Sequence, residues 1–120
     1  MDVTKLVLDV LSDALTVPVS TEMPRERDHG SPISYVLVSL SGDQSTPYLL
    51  LPRFDLTCWG TSDRNAQSLA LSAVEALQEA ALDHPYLSAC SLETMSREEW
   101  SRTGQGRYLA VVQLTINTDE

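Results

Sequence analysis

A chain of 120 residues with 42% hydrophobic side chains is long enough for one domain with a modest core, spanning residues 1–120. Seventeen acidic against eight basic residues leave a net charge of −9. That balance argues against tight nucleic-acid binding, which needs basic side chains to neutralise phosphates. No apolar run reaches membrane-spanning length, and the start MDVTKLVLDVL lacks a basic segment followed by a long apolar core. The expectation is a protein with no membrane partner and no signal peptide, made in a cytoplasm.

Residues 2–15 read as a first helix, with Val3, Leu6, Val7, Val10, Leu11 and Ala14 on one face. Asp2 or Thr4 stands where a cap is favourable, and Lys5 and Asp9 lie one turn apart in solvent. Residues 17–20 are extended, and Pro18 confines them to an edge strand or a connector. Residues 21–32, TEMPRERDHGSP, form a polar loop whose length marks it as functional or disordered. Residues 33–40, ISYVLVSL, make a strand apolar on both faces, hence covered on both. One cover is the helices; the other is a second layer or a neighbouring subunit. Residues 41–47 form a turn.

The next strand covers residues 48–59. Pro52 interrupts it, which predicts an edge position, a bulge or a late start. Its first half is expected to project as an arm. Phe54, Leu56 and Cys58 alternate there with Asp55, Thr57 and Trp59. Gly60 breaks the alternation, and Thr61 or Ser62 caps a helix over 62–82. Ala66, Leu69, Ala70, Ala73, Val74, Leu77, Ala80 and Ala81 form its buried stripe, and the alanines let it approach a sheet closely. Leu71 lies off the stripe, as a lone surface leucine or a subunit contact. His84-Pro85 ends the helix. Residues 86–95 form a strand and residues 96–106 a polar loop around Trp100. Residues 108–116 form the last strand, with Tyr108, Ala110, Val112, Leu114 and Ile116 on one face. The order is α-β-β-β-α-β-β. The fold class is α+β: a mixed or antiparallel sheet of four to five strands packed by two helices, with loops 21–32, 41–47 and 96–106 projecting.

No catalytic motif is visible. His29 sits in a charged loop, and His84 is placed to interact with a helix C-terminus. Asp9 with Asp13, and Glu98 with Glu99, read as solvated acids. Gly104 and Gly106 ease the way into the last strand. Cys58 and Cys90 lack metal-ligand spacing and read as reduced, buried thiols, bridged only if their strands are neighbours. Trp59 is placed to cap the core, and Trp100 to enter an interface or fold back over its own domain. The mixed-sign stretches 24–28 and 97–102 are either solvated or pair with neighbouring copies. The expectation is no enzyme, no metal and no cofactor.

Several stretches together carry a family resemblance. They are Val17-Pro18-Val19-Ser20-Thr21-Glu22-Met23-Pro24 followed by Arg25, and the apolar strand 33–40. Then come Asp55-Leu56-Thr57-Cys58-Trp59-Gly60 leading into Ala66, Leu69 and Ala70, and Arg107-Tyr108 opening the last strand. In order and spacing the chain resembles the tail terminator, or tail completion, proteins of long-tailed bacteriophages, the siphophages, of the actinobacterial-phage type. It departs from them at SREEWSRTGQG, where many relatives carry a proline- and aspartate-rich stretch. The resemblance implies a structural virion protein of the tail and neck, assembled in the host cytoplasm. Such proteins form a ring, usually a homohexamer, on the head-proximal end of the tail tube. The ring ends polymerisation of the tube protein and joins the head-completion (stopper) protein, while DNA passes its lumen without specific binding. Candidate interface residues are Met23, Arg25, Arg27 and Asp28 in the first loop, and Asp43, Tyr48 and Arg53 on the arm. Leu71 on the helix and Arg97, Glu98, Trp100 and Arg102 around the last loop complete the set. The alternatives are another neck component, such as a head-completion or connector protein, or a non-phage α+β interaction module.

Overall fold

The computed structural model describes residues 2–22, 34–46, 49–98 and 106–117. The first helix, α1 (Val3–Ala14), starts where Asp2 accepts a hydrogen bond from the Lys5 backbone N–H at 3.0 Å and ends at Leu15. Leu6, Val7 and Leu11 are its buried residues, one stripe at helical spacing. Lys5 and Asp9 pair at 3.1 Å in the open, which is worth little. A two-residue strand β1 (Val19–Ser20) follows and runs parallel to β2 (Tyr35–Asp43). Pro18 fits there because only its carbonyl is used: it accepts from the Val36 N–H at 2.9 Å.

Strand β3 (Pro52–Gly60), helix α2 (Asp63–Ala80), strand β4 (Leu87–Glu98) and strand β5 (Gly106–Ile116) complete the fold. The sheet order is β1-β2-β3-β5-β4. All pairings except the first are antiparallel, so β3 and β4 run the same way with β5 inserted between them and α2 crossing over. This is the predicted α+β arrangement in the predicted element order.

Both helices lie on one face. Val36 and Val38 of β2, Phe54, Leu56 and Cys58 of β3, and Ala110, Val112, Leu114 and Ile116 of β5 all point there. They meet Leu6, Val7 and Leu11 of α1 and Ala70, Ala73, Val74 and Leu77 of α2. Ala66, Ala70 and Ala73 are fully buried, so α2 sits low on the sheet as its alanine stripe predicts. At one end it sits lower still. Gly60 and Gly106 are register partners on β3 and β5. A Cβ on Gly60 would overlap the Ala66 backbone nitrogen, and one on Gly106 the Ser62 carbonyl. The two glycines together form the notch that admits the first turn of α2. Gly106 therefore does more than ease a turn: it belongs to the helix–sheet contact. Ser62 supplies the predicted cap, accepting from the Asn65 N–H at 3.2 Å.

Several boundaries differ from the sequence reading. β2 runs on to Asp43, three residues past its expected end, with an irregularity between Leu40 and Gly42. β3 begins at Pro52; it is a central strand, so the edge position is excluded and the late start applies. Proline is tolerated there because the ladder to β5 starts only at Arg53. β4 extends to Glu98, and β5 begins at Gly106, so residues 96–98 and 106 are ladder rather than loop. Cys58 and Cys90 are free thiols, since β5 separates their strands. Burial pushes the Cys58 thiol up to about 12 and the Cys90 thiol up to about 11.

His84 meets the end of α2 through its backbone N–H, which donates to the Ala80 carbonyl at 2.8 Å. Its Nδ1 accepts from the Tyr86 N–H at 3.0 Å and the Leu87 N–H at 3.1 Å. These two bonds make His84 the organiser of the turn into β4. Among the described residues, no helix is long and apolar enough to cross a membrane.

Candidate interaction surface

The strand period that sends Phe54, Leu56 and Cys58 to the helices sends Trp59, Thr57, Asp55 and Arg53 to the opposite face. On that face the register lines up one row across four strands: Tyr35, Trp59, Arg107 and Glu98. Tyr35 and Trp59 stack with ring centroids 4.4 Å apart and planes 6° from parallel. The Arg107 guanidinium lies 5.6 Å from the Trp59 ring centroid, within cation–π range. Arg107 Nη2 reaches Glu98 Oε2 at 3.4 Å. Trp59 and Tyr35 are both buried. Desolvation raises the Tyr35 hydroxyl above its usual pKa, and the nearby Arg107 charge partly offsets that. The row locks β2, β3, β5 and β4 together through side chains as well as backbone.

At the other end of the sheet, Arg53 Nε meets Glu93 Oε2 at 2.9 Å, reaching from β3 past β5 to β4. Gln113 of β5 donates to the carbonyls of Leu51 at 2.7 Å and Pro52 at 3.4 Å. The stretch leading into β3 folds as a hairpin: the Thr46 N–H donates to the Leu49 carbonyl at 2.8 Å, and the Gln44 N–H to Leu51 at 3.0 Å. Leu50 exchanges two backbone bonds with Ile116, at 3.1 and 2.8 Å. The base of the expected arm is thus tied to the end of β5.

The structure places five of the proposed interface residues. Asp43 accepts from the Ser45 backbone N–H at 2.9 Å and from the Ser45 hydroxyl, within the hairpin. Arg53 and Glu98 lie on the face opposite the helices. Arg97 points the other way, to Asp63 in the first turn of α2 at 2.8 Å. That acid also suits the positive end of the helix dipole. Leu71 stands on the outer side of α2, about half exposed. Met23, Arg25, Arg27, Asp28, Tyr48, Trp100 and Arg102 lie outside the described residues. The set does not converge on one described patch: Arg53 and Glu98 share a sheet face, while Leu71 and Arg97 are on the helical side.

Sequence reasoning missed the Tyr35–Trp59–Arg107–Glu98 row. Trp59 is buried as expected, but away from the helix-covered core. Its signal was parity: Trp59 alternates with Cys58 and must face the other side. What parity could not supply was the pairing of β3 with both β2 and β5. Among the described residues, no group of three or more His, Cys, Asp or Glu side chains is placed to hold a metal ion.

No family model matches the chain, and no curated protein matches it. By structure it is similar to a chain of the virion of native gene transfer agent (GTA) particle, with a TM-score of 0.56 and 14% identity. The likeness covers 93% of this chain and 84% of that one. At that identity it shows a shared fold, which nearly the whole chain follows.

Proposed function

We propose that the chain is a structural virion protein that caps the head-proximal end of a phage tail tube. In this reading copies form a ring, a homohexamer, that ends polymerisation of the tube protein and presents the joining surface for a head-completion protein. The observation that carries the reading is the fold shared with a virion-particle chain over 93% of this sequence. The sequence resemblance to tail terminators points the same way. The charge of −9 suits a lumen through which DNA slides without adhering. The role is mechanical rather than catalytic, with partners bound through the residues around 21–32, 41–52 and 96–106.

A second reading, another neck component, has the same support from the virion-particle fold. A pulldown with purified tail tubes and DNA-filled heads separates the two. Capture by tube ends supports the terminator; capture by heads alone assigns the chain to the head side of the neck.

A further inference from the structure

β4 is the outer strand of the sheet: β5 pairs with one of its edges, and no described strand lies along the other. The ladder shows which way its backbone points. Ile116 of β5 exchanges two backbone bonds with Leu50, on the β3 side. Bonding alternates along an antiparallel strand, so even-numbered residues of β5 turn their backbone toward β3 and odd-numbered ones toward β4. The Asn117 N–H, which donates to the Tyr86 carbonyl at 2.8 Å, fits that alternation. Cys90, Leu92 and Met95 stand opposite Leu114, Val112 and Ala110, all even. Their own N–H and C=O groups therefore point away from the sheet.

Natural sheets guard such an edge with lysine, proline or other charge. β4 holds neither lysine nor proline. From Ala89 to Ser96 its one charged side chain is Glu93, which Arg53 holds. The helix-facing flank of the strand is apolar: Cys90 and Met95 are half-buried and Leu92 is exposed. α2 walls that flank. Its Asp63 reaches Arg97 of β4, and Gln67, Leu71 and Gln78 follow Asp63 at helical spacing, so the exposed Leu71 and Leu92 stand on the same side of the molecule.

The open backbone and the charge together define the occupant. Unpaired N–H and C=O groups along an edge are matched by another extended backbone. α2 carries Asp63, Glu75 and Glu79 against Arg64, and the whole chain carries −9. A second copy would bring like charge to this edge, whereas a basic segment brings the opposite charge. The irregularities after Leu87 and after Leu92 twist the edge and keep the added strand short.

We infer that β4 takes up an extended, basic segment of a different polypeptide as an added strand, with apolar side chains at alternate positions. Cys90, Leu92 and Met95 supply the backbone bonds, and the apolar side chains settle beside Leu92 and Leu71. The inference does not depend on the virion reading.

The test uses the full chain, the synthetic peptide KVTVKVTVK and its acidic counterpart EVTVEVTVE, with amide exchange followed residue by residue by NMR. KVTVKVTVK binds with a Kd below about 1 mM. Near saturation it slows exchange at Cys90, Leu92 and Met95 at least about fivefold. Ser91 and Thr94, whose backbones face β5, change little. EVTVEVTVE binds at least about tenfold more weakly, and added salt narrows the difference. Met95→Pro removes an outward N–H and abolishes binding, while Met95→Ala keeps that N–H and most of the affinity. The thermal midpoint reports folding, and if Met95→Pro unfolds, the exchange pattern of the wild type decides. No binding of KVTVKVTVK at millimolar concentration overturns the inference. So does binding that leaves the three amides unprotected, or that the acidic peptide equals. Protection of the same amides that rises with concentration of the chain alone assigns the edge to a second copy and also overturns it.

Discussion

Gly106→Ala tests the packing of α2 most sharply. The new methyl group would overlap backbone atoms of Ser62 and Asp63, which cannot rotate away as a flexible side chain can. Relief requires the first turn of α2 to lift from the sheet, loosening Ala66 and Ala70 beneath it, both fully buried. Overpacking of this kind costs about 1–3 kcal/mol, and the backbone contact places this case at about 2–3. With an unfolding entropy of about 2.1 cal/mol/K per residue, the thermal midpoint falls by about 8–12 °C. Gly42→Ala is the control, since its Cβ would meet only the Arg53 side chain, at an ordinary 3.7 Å. It is expected within about 0.5 kcal/mol of wild type. Urea unfolding, read as a shift in midpoint at constant slope, gives both values. If Gly106→Ala and Gly42→Ala match within error, the notch does not position the helix and the reasoning fails.

Three further outcomes are expected. The Cys58 thiol is held near 12 when folded against an ordinary 9.0, so above pH 9 the unfolded chain loses a proton that the folded chain keeps. Stability therefore falls as pH rises from about 9 toward 12, by up to about 1.4 kcal/mol per pH unit from this thiol. Cys58→Ala should flatten that alkaline slope, and an unchanged slope would refute the assignment. His84→Ala removes the acceptor for two backbone N–H groups and should cost about 1–2 kcal/mol in urea unfolding. His84→Asn keeps a side-chain acceptor and should recover part of the loss; equal losses would show that the ring's packing matters instead. Trp100→Ala, at a residue outside those described, should lower tail-joining yield in a complementation assay while the thermal midpoint stays near wild type. An unchanged yield would count against an interface role.

Much of the fold was legible because each element carries its own period. The helix stripes fix which sides of α1 and α2 are buried, and the alternation through Phe54, Leu56 and Cys58 fixes the faces of β3. Pro52 marked a boundary, though local sequence could not tell an edge from a late start. That depends on β5 pairing with β3, a contact between residues about 46 to 60 apart in sequence. The same long-range pairing hid the notch, because Gly60 and Gly106 have meaning only as partners. It also hid the row on the far face, whose members come from four strands. Apart from Leu71 on the helix and Arg53 in a strand, most of the proposed interface residues lie in polar stretches, where no period exists to place a side chain. Of those described, Asp43, Arg53, Arg97 and Glu98 have partners within their own chain.

The proposed role, ending a growing tail tube, can be tested directly. The direct measurement is negative-stain electron microscopy of tail tubes incubated with the purified protein and then offered fresh tube subunits. The expected result is added density at one end of each tube and no further growth from that end. Tubes that lengthen as they do without the protein, with bare ends, would contradict it.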